Sequence, residues 1–234
     1  MIILRKSKER GHANHEWLDS YHTFSFSSYL DRRWMGFSSL RVINEDIVEP
    51  GMGFSTHPHE DMEIITYILE GELEHKDSMG TGSVIRPGDI QKMSAGSGIT
   101  HSEFNPSHKN RVHLLQIWVE PNKTGIKPSY EQIHFTEEQK KNKLLLVASS
   151  DASEKVVSIT QDAHLFASVM DANFSLEHKL DPKRSYWLHL VRGNLHVNGN
   201  ELVVGDAMGL QQESLLQLRA KDKAEFLLFD LASE

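Results

Sequence analysis

A single proline separates His57 from His59 in the stretch THPHEDMEIITYILEG. In an extended segment residues i and i+2 project to one face, so both imidazoles look the same way. His101 and Glu103, in SAGSGITHSEF, repeat that spacing. Among 14 histidines in 234 residues some close pairs arise by chance, and one pair alone carries little weight; a second pair of ligand-type residues changes the reading. Together the four side chains offer three nitrogens and one oxygen. That donor set suits Fe(II), Mn(II), Ni(II), Cu(II) or Zn(II), and two pairs folded back on each other leave open positions for outside ligands. Open positions imply chemistry rather than a purely structural ion.

The composition narrows what else the chain can do. With no cysteine, it has neither disulfides nor thiolate metal sites, so any metal chemistry must use nitrogen and oxygen. A net charge of −8 argues against general attraction to nucleic acid or to an anionic membrane surface. The start, MIILRKSKERG, is too short in apolar residues for a signal-peptide core, and no apolar run approaches membrane-spanning length. A cytoplasmic protein is expected.

The elements that would position the four ligands are strands. Runs at 63–69, 82–85, 112–119, 144–148, 186–191, 201–204 and 225–231 alternate or continue apolar residues between glycine, asparagine and proline. LHVNGNELVV reads as a hairpin turning on Asn198-Gly199. One short helix is expected in FTEEQKKNK, with Thr136 as N-cap and Gln139 closing a capping box. The polar segment PNKTGIKPSYEQ places a domain boundary near Phe135, giving domains 1–134 and 135–234. The two sides resemble each other, Gly71 matching Gly193 and Gly88-Asp89 matching Gly205-Asp206. In the second copy the positions of His57, His59 and His101 fall on Lys179, Asp181 and Leu218, with His178 one residue out of register, so that copy holds no metal. The fold expected is all-β, two tandem barrels with little helix.

The motifs resemble those of the cupins: Gly51, five residues, then His57-Pro58-His59; later His101, three residues, then Asn105. Gly71 falls one position late, Ser94 replaces a usual proline, and the interval from Gly96 to His101 is long. Those departures, with HTFSF at His22–Phe26, are similar to the pirin family. The resemblance implies a bicupin with one divalent metal per chain, usually iron(II), held by His57, His59, His101 and Glu103. Glu63, at the usual cupin glutamate position, is then a carboxylate supporting those ligands. Some bacterial pirins resemble quercetinases, which cleave flavonols with O2 and release CO. The implied substrate is a small aromatic flavonol, and Glu103 is the catalytic base for its 3-hydroxyl, because metal-bound imidazoles keep no basic site. The alternative is a metal-responsive regulatory protein acting through a protein partner, with no direct nucleic-acid binding. An isomerase of sugar phosphates ranks third, since the motifs offer only Lys76, Arg86, Lys92 and Arg111 as cations.

His12, His15 and His22 are expected in ordinary surface or hydrogen-bonding roles, since nothing elsewhere matches their spacing. Trp17, Phe24, Phe26, Trp34 and Phe37 are read as core aromatics.

Overall fold

Nearly every alternating or apolar run becomes an antiparallel strand in the computed structural model, which describes residues 1–151 and 155–233. Two units form. One comprises Gly11–His134 with Val157–Gln161, the other Met1–Arg10 with Phe135–Val156 and Asp162–Glu234. Each therefore draws a short segment from across the Phe135 boundary. The first ten residues, read from the sequence as N-terminal domain, belong to the C-terminal unit because Ile2–Arg5 pairs along Ala207–Gln211.

In the N-terminal unit a small sheet runs Gly53–His59, Ile99–Phe104, Leu73–Asp77, Gly82–Ile85. A larger one runs Ser129–His134, Asp89–Ser94, Glu63–Glu70, Val112–Val119, Leu40–Val48, Leu18–His22, Gly11–Asn14. The sheets are open rather than closed into the barrel expected, and Leu73 and Ile85 of the small sheet pack on Leu18, Val48, Ile68, Val112 and Leu114 of the large one. Burying such side chains contributes about 1.5–3 kcal/mol each.

The C-terminal unit repeats the plan. Its small sheet runs Ser175–Lys179, Leu215–Ala220, Leu195–Val197, Asn200–Leu202, and its large sheet includes Ile2–Arg5, Ala207–Gln211, Arg184–Arg192, Ala224–Ala232, Ala163–Met170 and Leu145–Ser149 in that order. The Asn198-Gly199 turn is present, with φ of 45° and 80° joining the Val197↔Asn200 pair. Both capping-box hydrogen bonds form at Thr136, although the helix is a single turn, Glu137–Lys140. Among the described residues no helix is long and apolar enough to cross a membrane.

Candidate metal centre

The small sheet of the N-terminal unit gathers the ligand-type residues. Ile99–Phe104 lies between Gly53–His59 and Leu73–Asp77, so His101 faces His57 on one side and Asp77 on the other, and Glu103 faces His75. Between His101 and Glu103 the register slips, with Glu103 opposite Phe54. This bulge inserts one extra residue into Gly53–His59 and turns Phe54 toward the same cavity as His57 and His59. Gly53 makes the bulge possible: a Cβ there would lie 2.2 Å from the Glu103 carbonyl oxygen.

The structure brings His57, His59 and His101 together. Ring centroids are 4.8 Å apart for His57–His59, 4.4 Å for His57–His101 and 4.9 Å for His59–His101, and their ligating nitrogens lie within 4.8 Å of one another. His57 Nδ1 donates to the Ser55 carbonyl at 2.8 Å, which leaves Nε2 as its bare nitrogen. His101 Nε2 is buried and has no hydrogen-bond partner. Burial, reinforced by neighbouring histidines, pushes His59 down to about 4 and His101 down to about 2. Both are therefore neutral at neutral pH, the form that ligates metal. Three clustered imidazoles with a buried, unpartnered nitrogen among them fit a divalent cation.

Glu103 is fully buried beside this cluster, in a second close group with His75 and His101. Because His101 belongs to both groups, they describe one centre and its flank rather than two independent sites. Burial raises the Glu103 carboxyl above its usual range, opposed by the hydrogen bond from Gln116. Glu63, expected to support the ligands, is engaged elsewhere. Its buried carboxylate accepts the backbone N–H groups of Thr160 at 2.8 Å and Gln161 at 3.2 Å and the Ser94 hydroxyl at 3.3 Å. The reason is strand parity: Ile64 and Thr66 face the cavity side, so Glu63 faces away.

A cavity of about 190 Å³ opens beside His57, His59 and Glu103. Trp118 sets its ring edge-on to His59 at 5.0 Å and to Phe26 at 5.4 Å. Phe26, expected in the core, lines this cavity, while Phe24 and Phe37 are buried core residues. His22, Asn44 and Gln116 also line the cavity, as part of a polar row across the large sheet in which His22, Asn44, Gln116, Thr66 and Gln91 are successive cross-strand partners. All five are buried. His22 Nδ1 lies 2.9 Å from Asn44 Oδ1, and the Thr66 hydroxyl donates to Gln116 Oε1 at 3.3 Å. Two residues along the same strand pair, Ser20 faces Asp46 and donates to it. Burial lifts the Asp46 carboxyl to about 7, despite the Ser20 hydrogen bond.

Sequence reading missed Asp46, Gln116, Thr66, His75 and Asp77. Only the last two carried a local signal, the same i,i+2 spacing as the ligand pairs. His22, left without a role, lies in the cavity wall, as does His15, while His12 pairs with Asp19 at 2.6 Å. In the C-terminal unit Leu218 is buried within an apolar core that includes Leu188, Leu195, Leu216 and Phe226. Lys179 and Asp181 are exposed. No metal-type cluster occurs in that unit among the described residues.

Residues 3–119 match the Pirin family and residues 146–231 match a quercetinase C-terminal cupin domain. A protein of Escherichia coli K12 named quercetin 2,3-dioxygenase is 48% identical over 231 residues, covering 99% of each chain. The crystal structure of YhhW from Escherichia coli superposes with a TM-score of 0.96 at 47% identity, over 100% of this chain and 99% of that one. The bacterial pirin YhhW in complex with nickel(II) gives 0.95 at 46% identity, covering all of both chains.

Proposed function

Because the chain belongs to the pirin family, we propose that it is a metal-dependent flavonol 2,3-dioxygenase, with one divalent ion, iron(II) in the cell, on His57, His59, His101 and Glu103. The carrying observation is the cluster of three imidazoles, with the bare His101 Nε2, beside an aromatic and polar cavity. The name of the Escherichia coli relative supports the reaction, and the nickel(II) complex of a related pirin supports a divalent ion. When bound, such an ion supplies Lewis acidity and open positions at which substrate and O2 meet.

The protein's own residues do the rest. Phe26, Phe54 and Trp118 offer flat apolar surface to an aromatic ring system, and Ser20, Asp46, His22 and Asn44 offer donors and acceptors to its hydroxyl groups. Glu103 takes the proton of the 3-hydroxyl; burial, by raising its carboxyl, makes the carboxylate a stronger base than it would be in water. Gln116 holds it in place meanwhile. The buried surroundings keep water from the reacting ring.

The test loads metal-free protein with Fe(II), Mn(II) or Ni(II) in turn and follows quercetin in air, measuring loss of flavonol absorption and release of CO. One metal per chain and CO stoichiometric with flavonol are expected. Full metal loading without CO from any flavonol would reject the dioxygenase and leave the regulatory reading.

A further inference from the structure

Behind the histidine cluster lie His75 and Asp77, side chains with no solvent exposure that the proposed reaction leaves without a part. We propose that Asp77 and His75 fix the ring tautomer of His101, making His75 a positioning residue for a metal ligand.

Asp77 Oδ1 accepts the backbone N–H groups of Met79 at 2.9 Å and Thr81 at 3.1 Å, the pattern of a carboxylate held in a turn. Its Oδ2 is 3.0 Å from His75 Nε2. A carboxylate only accepts, so that nitrogen carries the hydrogen, and in a neutral imidazole the lone pair is then at Nδ1. This lone pair faces His101 Nδ1 at 3.5 Å. Two lone pairs would repel, so His101 carries its hydrogen on Nδ1 and donates it. The nitrogen left bare is Nε2, the buried atom without a partner, and His101 clusters with His57 and His59. His57 obtains the same outcome from a simple carbonyl, Ser55 O. His101 instead meets His75 at its Nδ1 and relies on a side-chain chain set by register, with Asp77 directly across from it.

This rests on His101 being a ligand, as proposed above, but its test does not need turnover. In metal-free wild-type protein labelled with 15N-histidine, long-range proton–nitrogen spectra should find the His101 hydrogen on Nδ1. Asp77→Asn then reverses the chain. The two backbone N–H groups retain the amide oxygen, so the amide NH2 turns to His75, demands a lone pair at its Nε2 and moves its hydrogen to Nδ1. His101 must then accept at Nδ1 and carry its hydrogen on Nε2, against the metal position. Zn(II) affinity should fall about 10–100-fold, with the His101 spectrum switched to the other tautomer and the metal-free melting temperature little changed. A wild-type His101 protonated on Nε2 overturns the proposal, and so does an Asp77→Asn protein with unchanged spectrum and Zn(II) affinity. Should that variant fail to fold, the wild-type spectrum still decides. Absence of CO release would reject the dioxygenase while leaving the tautomer result standing.

Discussion

The side-chain amide of Gln116 donates to Oε2 of Glu103 across 2.9 Å, linking the middle of the large sheet to the small sheet that holds the histidines. With its oxygen occupied by the Thr66 hydroxyl, Gln116 has its NH2 committed to Glu103. Glu103→Gln preserves size and an oxygen donor but removes the proton acceptor. Turnover per bound metal should drop by about 10²-fold or more, and the flavonol absorption band should cease to show ionisation on binding. Near wild-type turnover per metal would move the base to another group.

Asp46 should make the protein weaker as pH rises toward neutrality. Its carboxyl is lifted from 3.8 to about 7, so over that interval the folded chain keeps a proton that the unfolded chain has lost. Stability therefore declines from about pH 4 to about pH 7. Asp46→Asn retains an acceptor for Ser20 and abolishes this slope. Urea unfolding of both proteins at pH 5 and pH 8 should show the variant gaining on wild type at the higher pH; parallel behaviour would contradict the assignment.

Acid should act in the opposite sense through His59 and His101. Both are held below the ordinary 6.5, to about 4 and about 2. As pH falls below 6.5 the unfolded chain takes up protons that the folded one refuses, so folded stability decreases steadily toward those values. Protons also compete with metal, so metal should leave on acidification before the C-terminal unit unfolds. Dialysis at stepped pH with elemental analysis, alongside circular dichroism, checks the order of events.

Glu63→Ala should cost stability and spare the metal. It removes the acceptor of the part-buried backbone N–H groups of Thr160 and Gln161; a fully buried orphaned donor costs about 1–3 kcal/mol and a part-buried one less. Denaturant unfolding should report that loss, with Zn(II) affinity at the wild-type level. A large fall in affinity would restore Glu63 to the neighbourhood of the ligands.

The pairs His57/His59 and His101/Glu103 were legible because a strand converts i,i+2 spacing into a shared face, a purely local rule. His75 and Asp77 obey the same rule in HKD, but no motif surrounds them to mark the pair. The polar row could not be read. His22 and Asn44 are 22 residues apart and Thr66 and Gln116 are 50 apart, and only the register of five strands lines them up. Glu63 misled because a motif position carries no parity across the turn between His59 and the next strand. Leu218 was informative early, since a leucine in place of a ligand needs no partner to be understood.

The pairing of Ile2–Arg5 with Ala207–Gln211, fastened by Ser7 N and Lys6 Nζ on Asp206 at 2.7 and 2.9 Å, sets a timetable for the growing polypeptide. The ribosome makes this strand about two hundred residues before its neighbour. Throughout that interval four residues, IILR, wait without a partner while Gly11–His134 already has most of its own strands in hand. Contacts so distant in sequence form slowly. The flanking run RKSKER places charge beside the waiting apolar edge, which guards it against pairing with other nascent chains. A bulky fusion at Met1 should therefore disturb the last-made unit rather than the first, and a chain terminated before Ala207 should leave its own opening residues as an orphaned, aggregation-prone edge.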